Sequence, residues 1–141
     1  MIVVDASVIV KWFIPEVGAA PAKALLSAAD ELIAPELARI EVASALIRKG
    51  LRQELTGADV ESTLRAWFRA LADGQIFLMP NADNVEAAAK LALELQHPLP
   101  DCLYLAVAER LGVPLITADR AFARRAARRS NLVQILEEAS G

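Results

Sequence analysis

Cysteine and histidine occur once each in this chain of 141 residues, as Cys102 and His97. A lone thiol forms no internal disulfide, and one cysteine with one histidine makes no zinc-ligand cluster, so a disulfide scaffold and a structural zinc site are both excluded. No apolar run approaches the roughly 20 residues that span a bilayer. The start, Met1-Ile2-Val3-Val4-Asp5, lacks the basic residues and small-residue cleavage site of a secretory signal, so a cytoplasmic protein without a membrane segment is expected. A Gly-rich phosphate loop, an internal repeat and a low-complexity tract are also missing. His97 stands beside Pro98 and Pro100, and a surface position in a proline-bounded loop is expected for it.

Apolar residues are abundant, at 55% of the chain with a mean hydropathy of +0.36, so nearly every element should bury one face. The length suits one domain, expected over residues 1–141. Short apolar runs at Ile2 to Val4, Leu32 to Ala34, Ile76 to Met79, Leu115 to Thr117 and Leu132 to Ile135 read as strands. Helical patterns lie between them: Val8 to Phe13, Ala19 to Ala29, Pro35 to about Lys49 with Gly50 as its stop, Thr56 onward, Asp83 to Gln96, Asp101 to Leu111, and Arg120 to Arg129. Thr56 followed by Asp59 marks a capped start, and Val60, Leu64, Trp67, Phe68 and Leu71 form the apolar face of that helix. Five strands with helical crossovers predict an α/β protein, a three-layer α/β/α arrangement around a parallel sheet.

Four acids stand out from this frame. Asp5 directly follows the first strand and Asp119 follows the strand Leu115 to Thr117, and ligands of open parallel sheets gather at the carboxyl ends of strands. Taken singly, Asp5, Asp101 and Asp119 also read as helix caps, because each stands at or beside a helix start. Glu41 lies within an apolar stripe, one turn after Leu37 and one turn before Ala45; a buried charge needs a partner, and Arg48 two turns on is the structural candidate. The joint pattern favours one shared metal site over four separate explanations, since nothing about capping requires Glu41 to join the aspartates.

The residues then show a family pattern. Met1-Ile2-Val3-Val4-Asp5-Ala6-Ser7 with Lys11-Trp12-Phe13, Ala34-Pro35-Glu36-Leu37 leading to Glu41-Val42-Ala43-Ser44-Ala45-Leu46, Pro100-Asp101-Cys102-Leu103-Tyr104-Leu105-Ala106, and Leu115-Ile116-Thr117-Ala118-Asp119-Arg120 together resemble the PIN-domain ribonucleases, and within them the VapC-type toxins. The resemblance spans nearly the whole chain, departing at His97-Pro98-Leu99-Pro100. It implies that Asp5, Glu41, Asp101 and Asp119 are catalytic and metal-binding, with Ser7 and Thr117 as small polar residues beside them. It also implies a homodimer held inactive by a VapB-type antitoxin.

Phosphodiester hydrolysis needs an activated water, neutralised phosphate charge and an oriented leaving oxygen, which Mg2+ or Mn2+ held by carboxylates can supply. A metal-free cyclising mechanism would need paired histidines, and the chain has one. An endoribonuclease leaving 5′-phosphate and 3′-hydroxyl ends is therefore expected. A net charge of −3 argues against broad nucleic-acid binding. Arg120, Arg124, Arg125, Arg128 and Arg129 nevertheless crowd one helix with no acid among them. Arg120, Arg124 and Arg125, with Lys11, are candidate phosphate contacts, against the alternative of a solvated face. Two rival readings remain. A small-ester phosphohydrolase would want an aspartate where Ser7 stands, and a non-enzymatic receiver or inactive binding module lacks the receiver's other acids or fails to account for the four present.

Overall fold

Runs of two to four apolar residues, buried on both faces, build the centre of the molecule. The computed structural model describes residues 1–28 and 31–136. Chain order runs β1 (Ile2–Val4), α1 (Ala6–Ile9) continued by a 3-10 turn (Val10–Trp12), α2 (Ala19–Ala28), β2 (Leu32–Pro35), α3 (Ala38–Leu51), α4 (Gly57–Ala72), β3 (Phe77–Met79), α5 (Val85–Leu95), α6 (Leu99–Leu111), β4 (Leu115–Thr117), α7 (Arg120–Ala126) and β5 (Val133–Ile135). The strands pair in the order β3-β2-β1-β4-β5, all parallel. Helices on both faces complete the expected three-layer α/β/α arrangement. Ala29, the last residue of the expected second helix, lies outside the described residues.

The strand order decides where chemistry can sit. The chain starts at the central strand, steps outward through β2 to β3, then returns to lay β4 on the other side of β1. Neighbouring crossovers leave in opposite directions there, and the gap between them opens at the strands' carboxyl ends. Hydrogen bonds from Val3 N to Pro114 O (2.8 Å) and from Asp5 N to Ile116 O (2.9 Å) fix the alignment of β1 with β4. Asp5 and Thr117 therefore leave the sheet side by side.

Packing explains which helices are amphipathic. In α6 every residue from Cys102 to Ala108 is buried, because it packs on β1, β2 and β4 on one side and on α5 on another. Burial, with the charge of Asp101, pushes the Cys102 thiol up to about 11, which leaves it an inert core residue. Trp67 anchors α4 on α3, its indole Nε1 donating to Arg39 O at 3.2 Å, and Trp12 Nε1 donates to Ala22 O at 2.9 Å. Each large ring is buried with its polar tip satisfied. Thr56 caps α4 by accepting from Asp59 N at 3.1 Å.

Three local expectations are corrected. Pro35 ends β2 instead of starting a helix, because pairing with Met79 of β3 keeps the chain extended. Phe68 stays 47% exposed on α4 while Trp67 takes the core position. Gly50 is not a helix stop: α3 continues through Leu51, and the left-handed residue beyond it is Gln53. Gly50 serves helix packing, since a Cβ there would lie 2.6 Å from Val60 Cγ2. An alanine in a helix ordinarily gains up to about 1 kcal/mol over glycine. Here the neighbour is a β-branched side chain on a helix, stiff at χ1, so Gly50→Ala should lower unfolding stability by about 1–3 kcal/mol in chemical denaturation, and pairing it with Val60→Ala should relieve the clash.

Candidate active site

Asp5 is the innermost acid, 5% exposed at the end of β1. It occupies the N-cap position of α1 without making a side-chain capping bond. Its Oδ2 instead accepts from Ser7 Oγ at 2.5 Å and from Thr117 Oγ1 at 2.9 Å. The proton directions follow from the second partner of each hydroxyl. Ser7 Oγ accepts from Ala118 N at 3.0 Å, and Thr117 Oγ1 accepts from Asp119 N at 3.1 Å. Each backbone N–H occupies a hydroxyl lone pair, and each hydroxyl spends its only proton on Asp5. Two relays thus run from the backbone beyond β4 to one carboxylate oxygen.

The other acids reach the same place from different elements. Glu41 projects from the first turn of α3, where Tyr104 Oη donates to its Oε1 at 2.7 Å. Asp101 sits in the first turn of α6, with His97 Nε2 2.6 Å from its Oδ2. Asp119 caps α7, its Oδ1 accepting from Phe122 N at 3.0 Å. All four line a cleft of about 210 Å³, together with Ala6, Ser7, Val10, Ala45 and Arg48. A larger cavity of about 690 Å³ lies between α5 and α6. There Glu94 and Glu109 are already paired with Arg129, so it offers no comparable concentration of charge.

The electrostatics record the crowding. Burial pushes the Asp5 carboxyl above the usual range and the charge of Asp101 adds to this, against the hydrogen bonds from Ser7 and Thr117. Burial likewise raises Glu41; Tyr104 opposes it, Asp5 and Asp101 reinforce it, and Arg48 pulls it down. Like charges are thus held close enough to feel one another.

The donor set fits a hard divalent cation in its chemistry, being all carboxylate oxygen, with one oxygen of each acid fixed by a protein partner. Among the described residues, no three such side chains are drawn together into a preformed cage. Mg2+ and Mn2+ commonly keep several waters, so a shared cleft suits them better than it would suit an ion that needs full protein coordination.

Several expectations change. His97 is not a surface residue: its side chain is 11% exposed, lies 5.0 Å from the Phe122 ring between centroids, and engages Asp101. The proline-bounded segment turns directly into α6, with Pro98 at its N-cap, which folds His97 back over the first turn. Arg48 acts on Glu41 through its charge alone, with no hydrogen bond or close ion pair among the described residues; the bonded partner is the phenol of Tyr104. The capping explanation applies to Asp119, but not to Asp5. Tyr104 and His97 were the polar partners missed, and i, i+3 and i, i+4 spacing from Asp101 was the available signal.

The expected phosphate contacts are dispersed. Lys11 lies outside the cleft, bound to Glu16 at 3.2 Å and to Val17 O at 2.7 Å. Arg120 and Lys11 line a separate hollow of about 90 Å³. Arg125 donates to Gln96 O at 2.6 Å, and Arg124 is an exposed residue of α7 that does not line the cleft. Arg128 and Arg129 fall beyond the end of α7, and Arg129 pairs with Glu94 and Glu109. The arginine run had no acid within its own helix, but α5 and α6 supply them.

The raised carboxyls carry a stability consequence. A folded-state acid pKa above its unfolded value means that the folded chain holds the proton longer, so stability falls as pH rises from the ordinary carboxylate range through the folded pKa. With chelator at pH 7, Asp5→Asn should therefore melt at or above the wild-type temperature, the gap narrowing toward pH 4. A loss comparable to a core deletion, about 2–5 kcal/mol, would instead make the carboxylate a structural hub.

Comparison with known proteins places these features in context. A model of the PIN domain matches residues 2–128. The chain is 34% identical over 127 residues to Ribonuclease VapC3 of Pyrobaculum aerophilum, covering 88% of this chain and 93% of that one. A toxin-antitoxin complex from Klebsiella pneumoniae superposes with a TM-score of 0.72 at 18% identity, over 98% of this chain and 99% of the other. The crystal structure of PAE2754 from Pyrobaculum aerophilum gives 0.70 at 19% identity, over 96% and 88%.

Proposed function

The chain belongs to the PIN-domain family, and from that premise we propose that it is a divalent-metal-dependent endoribonuclease, the toxin of a VapC-type toxin–antitoxin pair. The observation that carries this reading is the convergence of Asp5, Glu41, Asp101 and Asp119, from four different elements, on one cleft at the carboxyl ends of β1 and β4. A small-ester hydrolase with an aspartyl nucleophile is disfavoured by Ser7, which stands two residues after Asp5 and is committed to hydrogen bonding it.

In this reading the four carboxylates hold Mg2+ or Mn2+. When bound, the ion supplies neutralisation of phosphate charge and a water of lowered pKa. The protein's own contribution is pre-organisation. Ser7 and Thr117 lock Asp5 in one rotamer, Tyr104 holds Glu41, His97 holds Asp101, and the start of α7 holds Asp119. Water adds to phosphorus and the 3′ oxygen leaves, giving 5′-phosphate and 3′-hydroxyl ends.

The reading extends to an RNA substrate, a VapB-type antitoxin, a homodimer and a cytoplasmic location. An acidic cleft suits a basic antitoxin side chain, and exposed Phe68 on α4 offers apolar surface for a protein contact. No helix among the described residues is long and apolar enough to cross a membrane.

Incubating purified protein with a mixed RNA pool tests the proposal. Cutting should require Mg2+ or Mn2+, stop with EDTA, give 5′-phosphate ends, and fall at least about 100-fold in Asp5→Asn or Asp101→Asn. Absence of cutting by antitoxin-free, metal-binding protein would point to another substrate class. Tyr104→Phe should weaken Mn2+ binding in calorimetry by about 10- to 100-fold, the effect of losing a partner that orients a ligand, while retaining the fold.

A further inference from the structure

Arg48 is the one basic side chain among the residues lining the carboxylate cleft. It stands seven residues after Glu41 on α3, about 10 Å along the helix axis and on the same face. Ala45 lies between them, a small residue that leaves the wall of the cleft open. Arg48 is exposed and has no ion pair or hydrogen bond among the described residues, although four acids line the same cleft. Glu41, its nearest candidate partner, is occupied by Tyr104 at 2.7 Å. The basic side chains of the neighbouring surface are placed differently. Lys11 is bound to Glu16 and Val17, Arg125 to Gln96 and Arg129 to two glutamates.

We propose that Arg48 binds a phosphate of the RNA strand at the mouth of the cleft. This rests on the nuclease reading and deepens it by naming a substrate-binding residue. The acids hold negative charge at one end of the cleft, which repels a polyanion until cations balance it. A guanidinium held two helical turns away offers a planar fork that matches phosphate oxygens. Its charge reaches Glu41 without a hydrogen bond or ion pair to it, so the guanidinium donors remain open to a strand lying across the cleft.

The test compares wild type, Arg48→Ala, Arg48→Lys and Arg124→Ala on a short RNA that the wild type cuts. Arg48→Ala should raise KM on the order of ten-fold with kcat changed by less than about two-fold, the pattern of a lost binding contact. In an Asp101→Asn background, it should lower the slope of log affinity against log salt by about 0.7, one phosphate of a single strand. Arg48→Lys should fall between, keeping charge without the fork, and Arg124→Ala should change neither quantity. Mn2+ affinity and melting temperature should not drop in Arg48→Ala. Unchanged KM and salt slope would overturn the assignment, and so would weakened Mn2+ binding at unchanged KM, which would make Arg48 a residue that positions Glu41. If the wild type cuts no RNA, the nuclease reading falls first and Arg48 falls with it.

Discussion

The alignment of β1 with β4 is the constraint on which the site depends. Asp5 N donates to Ile116 O at 2.9 Å, and the next residue of β4, Thr117, then donates its hydroxyl to Asp5. A register slip of one residue would turn Thr117 to the other face of the sheet. It would also break the relay that uses Ala118 N and Asp119 N to direct two hydroxyl protons onto Asp5. Backbone pairing between strands distant in sequence therefore sets the orientation of a single carboxylate.

The fold must also hold like charge in a small volume. Two carboxylates about 4 Å apart repel by roughly 4 kcal/mol at an effective dielectric near 20. The structure answers with a hydrogen-bond partner on every acid: Ser7 and Thr117 on Asp5, Tyr104 on Glu41, His97 beside Asp101 and the α7 amide on Asp119. These bonds fix the groups without removing the conflict, since Asp5 and Glu41 remain above the usual carboxylate range. A cleft of this kind gains most from a cation, which is why the reading of metal chemistry follows from the donors as much as from family membership.

Much of the architecture was legible locally. β4 has the expected bounds, Leu115–Thr117, because an apolar run between Pro114 and Asp119 has no competing interpretation. Thr56 caps α4 as its spacing with Asp59 indicates. The errors came where a distant neighbour overrode a local preference. Gly50 reads as a helix stop until Val60 is seen against it, and Pro35 reads as a helix start until Met79 pairs with it. His97 reads as exposed until Phe122 covers it.

The sequence by itself determined the alternation of strand and helix, the parallel sheet and the four acids worth attention, since periodicity, turn residues and charge in an apolar setting are properties of neighbouring residues. Only the tertiary structure decided who serves whom. Tyr104 hydrogen-bonds Glu41, acids of α5 and α6 take Arg129, and Arg48 lines the cleft, reaching Glu41 only through its charge. Hydrogen bonds and ion pairs form between groups that folding brings within about 3 Å, and no spacing along the chain specifies that distance.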